Sequence, residues 1–447
     1  MDGGQCSRAS TILLLALLGA LAGWPGRAQT RPPAPPPPIT WRGHIGPLVH
    51  RACSPCHRPG QSAPFSLLTY QDVASRAHFV AYVTGLRYMP PWRADPAYRH
   101  FRAERRLSDP EIALIRRWVE QGAPEGPATV ALAPPNFPPT SGLGRPDLRL
   151  RLARPFRLRG INRDTVVDFV LPFALAADTN VRALEVVPGT PRAVHHVNTK
   201  VIDLADVPPG HEFTFMQPDS VADRGLRYYD GWVPGAQPRV WPPGFGFRLP
   251  RRGVVLLQIH YAPLAADTVD QSWVNIFFTD KRATRVLEVV NLGSNGGVAE
   301  PEPALVLAPN AVQTHRVRAT TTQDLTYLYL NPHLHRLGRH FVAYALTPTC
   351  DTIRLVRIAN WNYRWQDFYQ LEHLLKIPAG SEIVVEATFD NTASNPDQPF
   401  SPPRVVRQGP NSSDEMLSLI ITSVPYREGD ECMELGPAAP APGRPPE

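Results

Sequence analysis

The sequence predicts a small all-α domain followed by two antiparallel β-sandwich domains of jelly-roll type. Helix-capping signals and a 3.6-residue apolar period are confined to residues before about 128, and from about residue 147 the apolar period changes to two. Proline-rich stretches separate the two regimes. Several cores are expected from 447 residues, because single cores stop growing at roughly 250 to 300 residues. With 43% hydrophobic and 19% charged residues, the composition is that of a folded chain.

Taken in order, residues 1–28 read as a signal peptide. An apolar run at 12–18 is preceded by Arg8 and followed by Gly26-Arg27-Ala28, so cleavage is expected after Ala28, or retention as a single anchor if uncleaved. The mature protein is then periplasmic or secreted. No other stretch approaches the ~20 apolar residues of a bilayer-spanning helix, so no membrane span is expected after signal removal. Residues 29–40 form a proline-rich linker. Residues 41–128 read as helical: Ser108-Asp109-Pro110-Glu111 is a capping box with Pro in the first turn, and Ile112, Ile115, Trp118 and Val119 fall on one face. A second linker covers 129–146. Short β-branched and aromatic segments bounded by Gly, Pro, Asn and Asp then fill 147–287 and 288–436, more than one sandwich holds. A proline-rich tail occupies 437–447.

The formal charge is +6, but the basic residues are nearly all Arg and form no run, which excludes a nucleic-acid partner. Of five cysteines, Cys6 leaves with the signal peptide. Cys350 and Cys432 are either a disulfide, which an oxidising compartment permits, or two separate thiols.

Cys53-Ser54-Pro55-Cys56-His57 is a C-x-x-C-H motif, in which two thiols add to haem and the adjacent imidazole becomes the proximal iron ligand. Met89-Pro90-Pro91-Trp92 offers a thioether as the sixth ligand, held extended by the following proline. Residues 43–126 resemble the cytochrome c modules at the front of certain bacterial secreted oxidoreductases. The resemblance implies haem c and a cytochrome c-like fold for the all-α domain.

In the β region His195-His196, His260, His333-Leu334-His335 and Met416 stand out. Residues at i and i+2 of a strand share a face, so His333 and His335 can grip one metal. The adjacent pair His195-His196 shares a metal only at a strand end or bulge. The order of a His-His, a single His, a His-x-His and a Met resembles the type II copper, ascorbate-dependent monooxygenases, the family of dopamine β-hydroxylase and the peptidylglycine hydroxylating enzyme. The similar pieces are Ala193-Val194-His195-His196, Leu257-Gln258-Ile259-His260-Tyr261, His333-Leu334-His335-Arg336-Leu337-Gly338 and Ser413-Asp414-Glu415-Met416. The resemblance implies two copper ions. His195, His196 and His260 would hold an electron-transfer copper, and His333, His335 and Met416 a catalytic one.

It further implies hydroxylation of a small-molecule C–H bond with O2, using an external electron donor, either an ascorbate-like reductant or a redox protein. The fused haem would be a further source of electrons. Where the peptidylglycine enzymes have an Arg, an Asn and a Tyr that hold a substrate carboxylate, this chain has Asn331, Ser418 and Ile420. Asn cannot replace a bidentate guanidinium, so a peptide C-terminal glycine is not the expected substrate. The same ligands would also serve a periplasmic copper and haem protein that transfers electrons or senses metal without oxygenating anything.

Overall fold

The computed structural model describes residues 38–137, 143–206, 216–217, 226–236, 238–279, 284–294, 296–433 and 435. The expected signal peptide, most of the first linker and the C-terminal tail lie outside the described residues. Ile39–Glu447 form one compact unit.

The expected small all-α cytochrome c-like domain is overturned. The chain is mostly β-sheet, 40% strand against 12% helix, and the described residues contain four short α-helices. These are α1 (Gly46–Ala52), α2 (Tyr70–Ala74), α3 (Ala77–Gly85) and α4 (Asp109–Glu120). Capping boxes at Thr69 and Ser108 start α2 and α4, and Ile115, Trp118 and Val119 of α4 pack with Trp41, Ile45 and Val49. A cap specifies where a helix begins and says nothing of what the helices assemble into. Between α3 and α4 the chain leaves helical geometry, and Ala94 and Phe101 enter the core of the second pair of β-sheets. Phe101 makes a β-bridge with Leu371. The helices thus share a small core of their own while the stretch between α3 and α4 docks on the β body.

A six-stranded, a five-stranded and a small two-stranded sheet make up the described first β region. The five-stranded sheet runs Met216–Gln217, Thr165–Ala174, Arg252–Tyr261, Val194–Asp203, Leu226–Trp232. Its central strand Arg252–Tyr261 is buried along nearly its whole length, which its run Val254-Val255-Leu256-Leu257 anticipates. Phe169, Val197, Leu257 and Ile259 of this sheet share a core with Val181, Leu184, Val274 and Ile276 of the six-stranded one. Among the described strand pairings all are antiparallel except Arg285–Val286 against Phe245–Leu249, which is parallel.

The second region contains two four-stranded sheets. One runs Glu288–Gly293, Leu417–Pro425, Leu325–Leu334, Tyr369–Ile377, and the other Val312–Thr320, Glu382–Asp390, Gly338–Leu346, Thr352–Ile358. Leu330, Leu417 and Leu419 of the first meet Ala343, Leu355 and Val385 of the second in one core. Leu328, Tyr329, Leu374 and Val424 belong to the core of the other sheet pair, so the two regions are joined by buried apolar surface. Among the described residues no helix is long and apolar enough to cross a membrane. Cys350 and Cys432 are both free and exposed, so the disulfide alternative does not hold. Cys350 sits at the tip of the Gly338–Leu346/Thr352–Ile358 hairpin and Cys432 in the 3-10 turn Asp430–Cys432.

Candidate metal centre

His195, His196 and His260 meet on two neighbouring strands. His260 pairs with His196, and the next register step pairs Tyr261 with Val194, which leaves His195 as an extra residue in its strand. Such a bulge breaks the alternation of faces, so two adjacent imidazoles turn to the same side. Their rings and that of His260 lie 4.8 to 5.0 Å apart, centroid to centroid.

The nitrogens face one another. His195 Nδ1 is 3.3 Å from His260 Nδ1 and 3.2 Å from His196 Nδ1. His195 Nε2 is 2.9 Å from the carbonyl oxygen of Arg364; a carbonyl only accepts, so the proton is on Nε2 and Nδ1 is a bare lone pair. One lone pair does not satisfy two imidazole donors well. Three lone pairs around one cation are satisfied together: ligands at about 2.0 to 2.1 Å from a tetrahedral ion stand roughly 3.3 Å apart. Burial, and then the His260 ring, lower the pKa of His195 to about 4. His196 is held well below the usual imidazole value, first by burial and then by His260 and His195. Both rings are therefore neutral, as metal ligands must be. On the far side of His260, Nε2 lies 3.4 Å from Asp164 Oδ1, within ion-pair range but without a hydrogen-bond partner of good geometry. A carboxylate behind a ligating imidazole is a recurrent support of metal sites.

His333 and His335 form the second group, with ring centroids 5.1 Å apart. His333 pairs with Ser418 and Leu334 with Leu417, so His335 and Met416 are the residues that directly flank the end of this pairing. His335 Nδ1 is 3.1 Å from the carbonyl of Asp414 and so carries the proton, which leaves Nε2 for a ligand role. Buried Glu415 organises the corner. One oxygen accepts from the backbone N–H groups of His335 (2.9 Å) and Met416 (3.3 Å), and the other from Leu337. Burial pushes the Glu415 carboxyl up to about 8 against the pull of these three donors. Burial, and then the His335 ring, lower His333 to about 3, and burial lowers His335 to about 4 against the bond to the Asp414 carbonyl, which pulls it up. Donor chemistry at both groups therefore fits a soft or borderline metal.

The groups also sense each other: His333 and His335 disfavour protonation of His196, and His260 disfavours theirs. Asp164, Gln366, Glu415 and the carbonyls of Arg364 and Asp414 escaped sequence reasoning. Only the carboxylate beside Met416 carried a local hint; the rest become neighbours through the docking of distant segments.

Cys53, Cys56 and His57 come together just after α1, with the N–H groups of Cys56 and His57 on the Cys53 carbonyl at 3.2 and 2.9 Å. His57 Nδ1 donates to the carbonyl of Phe65 at 3.1 Å, which frees Nε2. Burial raises the Cys53 thiol to about 12 and Cys56 in the same direction. Met89 lies on the loop after α3, its N–H on the Val83 carbonyl at 3.2 Å. The two thiols and the free imidazole nitrogen fit covalent haem attachment in donor type.

No family model matches the chain, and no curated protein does. Among solved structures, PNGF-II is 9% identical with a TM-score of 0.25, over 62% of this chain, and the chain spans 65% of its length. The infectious bursal disease virus VP2 subviral particle is 10% identical with a TM-score of 0.15, over 69% of this chain and 87% of that one. Likenesses this distant carry no argument about fold or activity.

Proposed function

We propose that this chain is an exported copper-dependent monooxygenase that hydroxylates a substrate C–H bond with molecular oxygen. The observation that carries the reading is the convergence of three imidazoles, with Nδ1 atoms 3.2 and 3.3 Å apart, beside a second group of two histidines and a methionine. Three imidazoles serve both copper oxidation states, whereas a thioether favours Cu(I), the state that meets oxygen. Bound copper would supply the one-electron redox change and oxygen activation that no side chain here provides.

The protein's own residues hold and orient. The Arg364 and Asp414 carbonyls fix ring tautomers, the bulge at His195 aims two rings together, and Glu415 keeps the Met416 corner beside His335. Asn331 is committed to the Asp367 carbonyl at 2.9 Å and Ser418 is buried, so neither offers a clamp for a substrate carboxylate. The substrate is accordingly a small molecule held without such a clamp. Electrons come from an external donor, an ascorbate-like reductant or a redox protein, and from a haem attached at Cys53 and Cys56 with His57 as its ligand.

Oxygen uptake by copper-loaded protein, with a reductant and a panel of small molecules bearing benzylic or aliphatic C–H bonds, tests this. The expected result is substrate-dependent uptake matched by hydroxylated product and abolished in His333→Ala, together with a pyridine haemochrome lost in the Cys53→Ala/Cys56→Ala variant. A copper protein that cycles between oxidation states and yields no product from any member of the panel would instead be an electron carrier.

A further inference from the structure

Arg336 belongs to the turn that joins Leu325–Leu334 to Gly338–Leu346, directly after His335. The backbone N–H groups on either side of it, those of His335 and Leu337, both donate to buried Glu415, so the turn is held in place. The Arg336 guanidinium lies 5.6 Å from the centre of the Tyr363 ring, and that ring lies 6.0 Å from the ring of His195. Arg336 therefore starts beside one histidine group and ends at a ring that neighbours the other.

The charged groups around it are paired. Arg364, whose guanidinium is 4.5 Å from the same ring, reaches Asp397 at 2.9 Å, and Arg339 reaches Asp397 at 3.5 Å and Asp390 at 4.0 Å. Asp367 pairs with Arg105. Asp164 lies 3.4 Å from His260 Nε2 and accepts from the Ser412 hydroxyl, also at 3.4 Å. Half-buried Arg336, by contrast, has neither an ion pair nor a hydrogen bond among the described residues, and its Nε is buried without a partner. A cation drawn partly out of water with no counter-charge is costly, and an anion that pairs with it restores what is lost.

We infer that Arg336 anchors the substrate and that the substrate is a small carboxylate. With Nε shut away, the terminal nitrogens Nη1 and Nη2 form a planar fork that matches the two oxygens of a carboxylate. Asn331 and Ser418 cannot supply such a clamp; Arg336 offers it from a different position, the turn after His335. The hydrocarbon part of the bound anion then lies next to Tyr363 and the histidine groups. The inference names the substrate class of the proposed oxygenase and rests on that reading for the reaction, but not for binding.

The test uses the copper-free full chain and calorimetric titration with phenylacetate and hexanoate, each compared with its neutral amide. At least one carboxylate should bind roughly 10- to 100-fold more tightly than its amide, the effect of one charge-assisted pair. Arg336→Met should lose that preference. Arg336→Lys, which keeps the charge without the fork, should retain part of it. Thermal unfolding of Arg336→Met should match the parent, because the substitution leaves no partner unpaired.

A parent protein that binds neither carboxylate more tightly than its amide overturns the inference. So does an Arg336→Met protein with the parental preference, or one that unfolds well below the parent, since Arg336 would then hold the fold rather than a ligand. A chain that shows the preference but takes up no copper keeps the carboxylate site and loses the oxygenase reading. A chain that holds copper without the preference loses the carboxylate site alone.

Discussion

At the scale of single residues, the centre depends on an insertion of one residue. His195 is the extra residue of a bulge, and without it His196 alone would face His260. The sequence makes this legible in part, because an adjacent histidine pair needs a strand end or bulge to share a metal. It does not reveal Glu415, whose value is positional: a buried carboxylate that accepts from three backbone N–H groups around His335 and Met416. Above about pH 8, where the group is ionised and both oxygens accept, Gln turns one acceptor atom into a donor aimed at N–H groups. Glu415→Gln is therefore expected to weaken copper at the His333 group by about 10- to 100-fold, the usual effect of losing an outer-shell partner. Copper affinity read separately at the two groups by competition with a chelator checks this, and equal affinities in parent and variant would speak against it.

At the scale of elements, the strands follow from alternation and β-branched runs, and the starts of α2 and α4 from their caps. That the helices would not make a cytochrome c-like domain was not legible, because caps and periodicity are local while the docking of Ala94 and Phe101 onto a β core is not. A similar long-range tie closes the C-terminus: Arg285 on its short strand pairs with Asp430 at 2.7 Å, and Thr326 also donates to that carboxylate. Burial works against the Asp430 anion, but Arg285, Thr326 and the Arg427 N–H hold its pKa at about 2. A depressed folded value means that the carboxylate stabilises the fold above its unfolded value of about 3.9 and that this stability is lost as pH falls toward about 2. Arg285→Met leaves the carboxylate buried and unpaired, which costs ~3 to 5 kcal/mol near neutral pH. Thermal unfolding of parent and variant at about pH 7, 4 and 2 reads both effects, with the gap between the two proteins narrowing at the acid end. A constant gap across that range would contradict the assignment.

At the scale of the molecule, the two β regions share apolar core, and a loop of the second region reaches His195 of the first through the Arg364 carbonyl. The reading from sequence placed the groups in two separate sandwiches. The contacts from His195 to Arg364 and from Asp164 to Ser412 Oγ, at 3.4 Å, bring the regions together at the centre. Contacts across 169 and 248 residues of chain cannot be read from any window of the sequence.

Copper content per chain, measured on the purified full-length protein and on a His195→Ala variant after removal of loosely bound metal, tests the whole account most directly. Two copper ions per chain, falling to one in the variant, is the predicted result. A parent protein that retains none would contradict it.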